Sequence, residues 1–147
     1  MVTKNGSAGL FSLLCMSTAQ ILFTPARMEE LLTQSRRNTA RDEVTGLLIF
    51  RDGTFMQLLE GTREVIETRF RKIKADERHY AVVTLFEGPI TERYFPTWSM
   101  DYRNLRDPEV RKLQALKDFD TEAFNSGEFA TDPSLAVHLL KIFQGVK

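Results

Sequence analysis

VTGLLIFRDGTFMQLLEG, residues 44 to 61, decides the fold. Two apolar runs of strand length flank Asp52-Gly53, and an Asp-Gly pair suits the positive φ angles that a tight antiparallel hairpin demands. On the second strand, alternation places Phe55, Gln57 and Leu59 on one face and Met56, Leu58 and Glu60 on the other. Gln57 therefore points where its neighbours are apolar. An unsatisfied buried amide costs about 1–3 kcal/mol, so this side chain is either paired inside the core or aimed at a ligand.

The hairpin sits between two helices. Upstream, the apolar run of residues 10–16 predicts a first strand holding the only cysteine, Cys15, with Ser17 on the same face. Thr24 offers an N-cap, Pro25 suits the first helical position, and Met28, Leu31, Leu32 and Ser35 follow at helical spacing. Downstream, Thr62 is placed to cap a second helix whose stripe is Ile66, Phe70 and Ile73, running to about Asp76. YAVVTLFEG (80–88) predicts a fourth strand, and YFPTWSMDY (94–102) a short fifth one despite its proline. The order βαββαββ is the ferredoxin-like α+β pattern, with both helices on one face of the sheet.

Two further segments open with Asp-Pro, at 107–117 and 132–144, and predict helices with an Asp cap and proline at N1. The linker between them carries Phe119, Phe124 and Phe129 and is too aromatic for a loose tail. The chain thus divides into a main domain, 8–103, and a helical extension, 104–147, packing on it or closing an oligomer interface.

Composition removes several classes of function. Twenty basic side chains balance twenty acidic ones across 147 residues, so nothing draws the chain toward nucleic acid or a membrane surface. One cysteine supports neither a disulfide nor a thiolate zinc site and fits a cytoplasmic protein. The opening residues show no apolar leader and no run reaches membrane-spanning length. His79 and His138 lie far apart without carboxylates at ligand spacing, and nucleophile-elbow, P-loop and dinucleotide glycine motifs are absent.

The periods of strand and helix do bring polar residues toward one space between the helices and the sheet: Cys15, Ser17, Gln57, Asn38, Thr39, Lys72 and Asp76. A flat heteroaromatic ligand with carbonyls and ring nitrogens would satisfy them. Simpler readings stand beside this one. A free cysteine is often a small buried hydrophobe with a raised pKa. Lys72, Arg78 and His79 complement the dipole at a helix end, and Trp98 and Met100 fit a core.

SRRNTARDEVTGLLIFRDGTFMQLLEG, followed by KADERH and FPTWSM, resembles the BLUF family of flavin-binding blue-light sensors, from about residue 10 to 102. The resemblance implies FAD, with its isoalloxazine ring between the two helices and a strand tyrosine, a glutamine and a tryptophan or methionine of the last strand around it. It assigns flavin contacts to Ser35, Asn38, Thr39, Phe55, Gln57, Lys72, Ile73, Asp76, Arg78 and His79, and photochemical positions to Cys15, Gln57, Trp98 and Met100. Two departures stand out: Cys15 occupies the position of the tyrosine, and Thr39 that of the second asparagine. A thiol cannot take the tyrosine's part in electron transfer, which leaves Trp98 as the expected donor. The implied function is a BLUF-type FAD-binding sensor or regulatory domain, not an enzyme, acting on an unidentified protein partner as a homo-oligomer. The alternatives are a flavin-free interaction module and an acylphosphatase-like hydrolase using Arg78 and Asn38.

Overall fold

In a computed structural model, which describes residues 9–145, five strands form one mixed sheet in the order β4-β1-β3-β2-β5. The strands are β1 (Leu10–Ala19), β2 (Thr45–Arg51), β3 (Thr54–Thr62), β4 (His79–Pro89) and β5 (Asp101–Asn104). Two long helices, α1 (Pro25–Arg41) and α2 (Arg63–Ala75), join them in the expected ferredoxin-like order. Residue 8, where the expected main domain begins, and the opening residues read for a leader lie outside the described residues. Among the described residues, no helix is long and apolar enough to cross a membrane.

The hairpin forms as its turn residues dictate: Asp52 and Gly53 both have positive φ, 48° and 86°. That fixes the β2–β3 register, Arg51 opposite Thr54 and Leu48 opposite Gln57. The Thr24 side chain accepts the Arg27 N–H at the start of α1, with Pro25 in the first turn. Thr62 does occupy the N-cap of α2, but its side chain makes no capping hydrogen bond.

The last strand is shorter than expected. Residues 94–100 form turns instead, with Trp98 N–H bonded to Phe95 O, and β5 begins only at Asp101, parallel to β2. Pro96 donates no ladder bond and Met100 has φ 61°, so the segment cannot stay extended. The expected helix over 107–117 also breaks. Asp107 caps a single turn, α3 (Pro108–Arg111), Leu113 turns extended, and a 3₁₀ turn follows at Gln114–Leu116.

After a second 3₁₀ turn at Thr121–Phe124, the chain closes with α4 (Glu128–Thr131) and α5 (Pro133–Gln144), the latter capped by Asp132. These pieces cover the sheet face opposite α1 and α2. Leu14, Leu47, Ile49, Met56 and Leu58 pack there with Leu116, Phe119, Phe124, Phe129, Leu139 and Phe143 in one buried cluster. The apolar stripes that suggested a subunit contact are therefore buried within the chain.

Candidate functional site: a cavity between the helix pair and the sheet

The other face of the sheet carries a second cluster, in which Phe11, Leu13, Cys15, Leu48, Phe55 and Leu59 meet Met28, Leu32 and Ile66 of the helices. Within this layer lies a cavity of about 480 Å³, within the range typical of small-ligand sites. Its floor is Cys15 and Ser17 of β1, Leu48 of β2, and Phe55, Gln57 and Leu59 of β3. Its walls are Leu31, Gln34, Ser35, Asn38, Thr39 and Arg41 of α1 and Arg69, Lys72 and Ile73 of α2. Phe23, Ala75, Asp76, Arg78 and His79 complete the rim.

Strand register sets the floor. Cys15 lies opposite Gln57, Gln57 opposite Leu48, and Leu48 opposite Tyr102, so one row crosses four strands on the cavity face. The thiol and the amide are direct cross-strand neighbours. Cys15 is 3% exposed, and burial pushes its thiol up to about 12, so it is held as S–H. The Gln57 amide makes one hydrogen bond among the described residues, Nε2 to the Met100 thioether at 3.5 Å. A sulfur acceptor is weak, and the Gln57 carbonyl has no protein partner among the described residues.

His79 is oriented from both ring nitrogens. The Ile73 carbonyl can only accept, so Nε2 carries a proton and donates to it at 2.5 Å. Nδ1 lies 2.7 Å from the Ser17 hydroxyl, and Ser17 itself lines the cavity. At the rim, Arg78 grips Asp76 through both side-chain and backbone N–H groups and reaches Gln34 Oε1 at 3.2 Å. The bond to Arg78 holds the Asp76 carboxyl below the usual carboxylate range, and Arg41, Arg69 and Lys72 add positive charge nearby.

Thr39 is buried and differently employed. Its hydroxyl donates to Arg36 O at 3.2 Å and lies 3.4 Å from Ser99 Oγ, tying α1 to the segment before β5. Arg36 Nε reinforces that tie at Met100 O, 3.2 Å away.

Of the residues singled out in the sequence, Cys15, Ser17, Ser35, Asn38, Thr39, Phe55, Gln57, Lys72, Ile73, Asp76, Arg78 and His79 all line this cavity. Trp98 does not. Without a strand there, residues 98 and 100 do not share a face: Met100 packs in the cavity-side cluster, while Trp98 packs in the opposite one. Its ring packs at a tilt against Phe95, centroids 4.8 Å apart, with the Arg103 guanidinium 5.1 Å from its centre. The expected role of Trp98 as donor to a cavity ligand loses its geometric basis. Phe23, Leu31, Gln34, Arg41, Leu48, Leu59, Arg69 and Ala75 were not anticipated as lining residues. Helical spacing held some of the signal, since Gln34 and Arg41 lie four before and three after Asn38, and Arg69 four before Ile73.

Comparisons with known proteins point to one family. A family model described as "Sensors of blue-light using FAD" (BLUF) matches residues 10–101. The blue light- and temperature-regulated antirepressor BluF of Escherichia coli (strain K12) is 35% identical over 99 residues, 67% of this chain and 25% of that protein. Photoactivated adenylate cyclase subunit beta of Euglena longa is 30% identical over 100 residues, 67% of this chain and 12% of its own length. This chain therefore spans only a minor part of these curated relatives. Among solved structures, the dark state of the BLUF protein BlrB superposes with a TM-score of 0.78 at 28% identity, covering 95% of this chain and 98% of that one. The photo-activated state of BlsA gives a TM-score of 0.76 at 25% identity, covering 94% and 96%.

Proposed function

Since the chain belongs to the BLUF family of blue-light sensors using FAD, we propose that its cavity holds the flavin ring and that its sensing differs from the tyrosine-based kind. The observation that carries this reading is the cavity itself: a slot with apolar Leu31, Leu48 and Ile73 beside the under-used polar groups of Gln57, Ser17 and Asn38. Those donors and acceptors fit the carbonyls and ring nitrogens of an isoalloxazine. Bound flavin supplies blue-light absorption and electron acceptance.

In this reading Gln57 and Asn38 orient the ring, Ser35 and Ser17 offer hydroxyls, and Arg41, Arg69, Lys72 and Arg78 face the phosphates at the rim. Thr39, committed to Arg36 and Ser99, gives the ring edge less than an asparagine amide would. Cys15 keeps its proton beside Gln57, and a thiol one ring shorter than a phenol cannot bridge to the ligand as tyrosine does. The flavin unit ends near residue 103, and the segment from residue 104 onward caps it. The output is regulation of a separate protein in the cytoplasm rather than turnover, with self-association as part of that regulation. The hydrolase alternative is disfavoured by the match to a family of flavin-using light sensors.

Titration of the protein with FAD, followed by quenching of flavin fluorescence, tests the reading. Saturable one-to-one binding that weakens in Gln57→Leu supports it, and no saturable binding refutes it.

A further inference from the structure

Glu60 is a fully buried carboxylate on the face of β3 turned away from the cavity, 0% exposed. Its Oε2 accepts the Tyr94 N–H at 2.6 Å, and its Oε1 accepts the Phe95 N–H at 3.0 Å and the Thr45 hydroxyl at 3.2 Å. Arg93 closes the cluster, donating from Nη1 to Thr45 Oγ1 at 2.9 Å and to the Glu60 carbonyl at 3.0 Å. Burying a carboxylate is costly unless its oxygens are used, and here both are spent on consecutive backbone amides of one connecting segment.

That segment leads directly into the turn that separates Trp98 from Met100. Phe95 O accepts Trp98 N–H at 3.2 Å, and Trp98 O accepts from Gly46 at 2.8 Å and from Met100 at 2.8 Å. Gly46 permits the approach, because a Cβ there would stand 1.9 Å from Leu58 O and 3.3 Å from Met100 Cε. Met100 then presents its sulfur to Gln57, with its own backbone at φ 61°. Such a conformation is costly for methionine and persists only where neighbours over-determine it.

We propose that Glu60 is the positioning residue for this turn: by gripping the Tyr94 and Phe95 amides it sends Trp98 to the C-terminal layer and the Met100 thioether to Gln57. The consequence for flavin rests on the cavity reading above. The placement of Trp98 does not. Two acceptor oxygens in one plane are required, and a glutamine, with one acceptor and one NH₂, must leave an amide facing a donor.

Trp98 is the only tryptophan, so its fluorescence reports on this turn alone. In the full chain with FAD, Glu60→Gln is expected to speed hydrogen exchange at Tyr94 and Phe95 about tenfold, the change for one lost bond. It is also expected to shift Trp98 emission and displace the blue absorption band of bound flavin. Ile66→Val, a core change on α2 at a residue that does not line the cavity and makes no hydrogen bond to the turn, should lower stability while leaving emission and band in place. Should Glu60→Gln fail to fold, Glu60→Asp, which withdraws both oxygens by one methylene, is read the same way. Bound flavin with an unmoved band and unmoved Trp98 emission in the Glu60 variant overturns the proposal. If the unmodified protein binds no FAD, the cavity reading fails, and the emission and exchange of the flavin-free protein decide the role of Glu60.

Discussion

The two faces of one sheet are finished in opposite ways. Toward the C-terminal segments, Leu14, Ile49, Met56 and Leu58 meet rings and aliphatic chains, with Phe124 and Phe129 edge to face at 5.6 Å. Toward α1 and α2, the same strands present Cys15, Ser17 and Gln57 to a cavity of about 480 Å³. Alternation along β3 makes this possible, since Met56 and Gln57 are neighbours in sequence and belong to different layers. One layer is closed apolar packing, and the other, also apolar at its edges, leaves a cavity lined in part by polar groups. The turn at 95–100 is the place where the two are joined.

The largest effect that would break this division is in the C-terminal layer. Phe143 is fully buried beneath Arg103, and Phe143→Ala should lower unfolding free energy by about 3–5 kcal/mol in urea titrations. A loss below about 1 kcal/mol would mean the layer is not part of the core. On the cavity face, Gln57→Leu should leave the flavin-free protein within about 1 kcal/mol of the original, because its one bond is to sulfur. Flavin binding should weaken about tenfold in the same variant, measured by fluorescence titration. A large stability loss without change in affinity would move Gln57 from ligand site to core.

Thr39→Asn is a smaller change with a definite sign. An added amide at the ring edge is worth about 0.5–1.5 kcal/mol, so FAD should bind several-fold more tightly. Unchanged or weaker binding would show that the tie from Thr39 to Ser99 matters more than the missing amide.

The faces also titrate with opposite sign. The hydrogen bond from Arg78 lowers Asp76 below its ordinary 3.8, so its contribution is present above that value and lost as pH falls through the folded one. Burial raises Glu60 above 4.5 despite its two amide bonds, so its contribution is complete below 4.5 and lost as pH rises through the folded value. In thermal melts across pH, the deficit of Asp76→Asn should shrink in acid below 3.8, while that of Glu60→Gln should widen as pH drops toward 4.5. Parallel behaviour of the two variants would erase the contrast.

What was legible in the sequence follows the range of the interactions involved. The Asp52-Gly53 turn, the Thr24-Pro25 start of α1 and the Asp132 cap of α5 are local, and each forms as read. That Cys15 and Gln57 face one side followed from the period of two, but their direct pairing did not, because β1 and β3 are not joined by a hairpin. The segment at 94–100 did not, since Pro96 and the left-handed Met100 stop the alternation on which the pairing of Trp98 with Met100 depended. The single helix expected at 107–117 broke because Leu113 turns extended, and Leu116 and Phe119 instead enter the common core. Buried Glu60 gave no local sign of its amide partners at Tyr94 and Phe95, which lie more than thirty residues away.

The most direct test of the central claim is the lit-minus-dark absorption spectrum of the FAD-loaded protein, beside that of Cys15→Tyr. With a protonated thiol next to Gln57, the unmodified protein should bind flavin and show no lasting red shift of the blue band, and Cys15→Tyr should acquire one. A normal, reversible red shift in the unmodified protein would contradict the account.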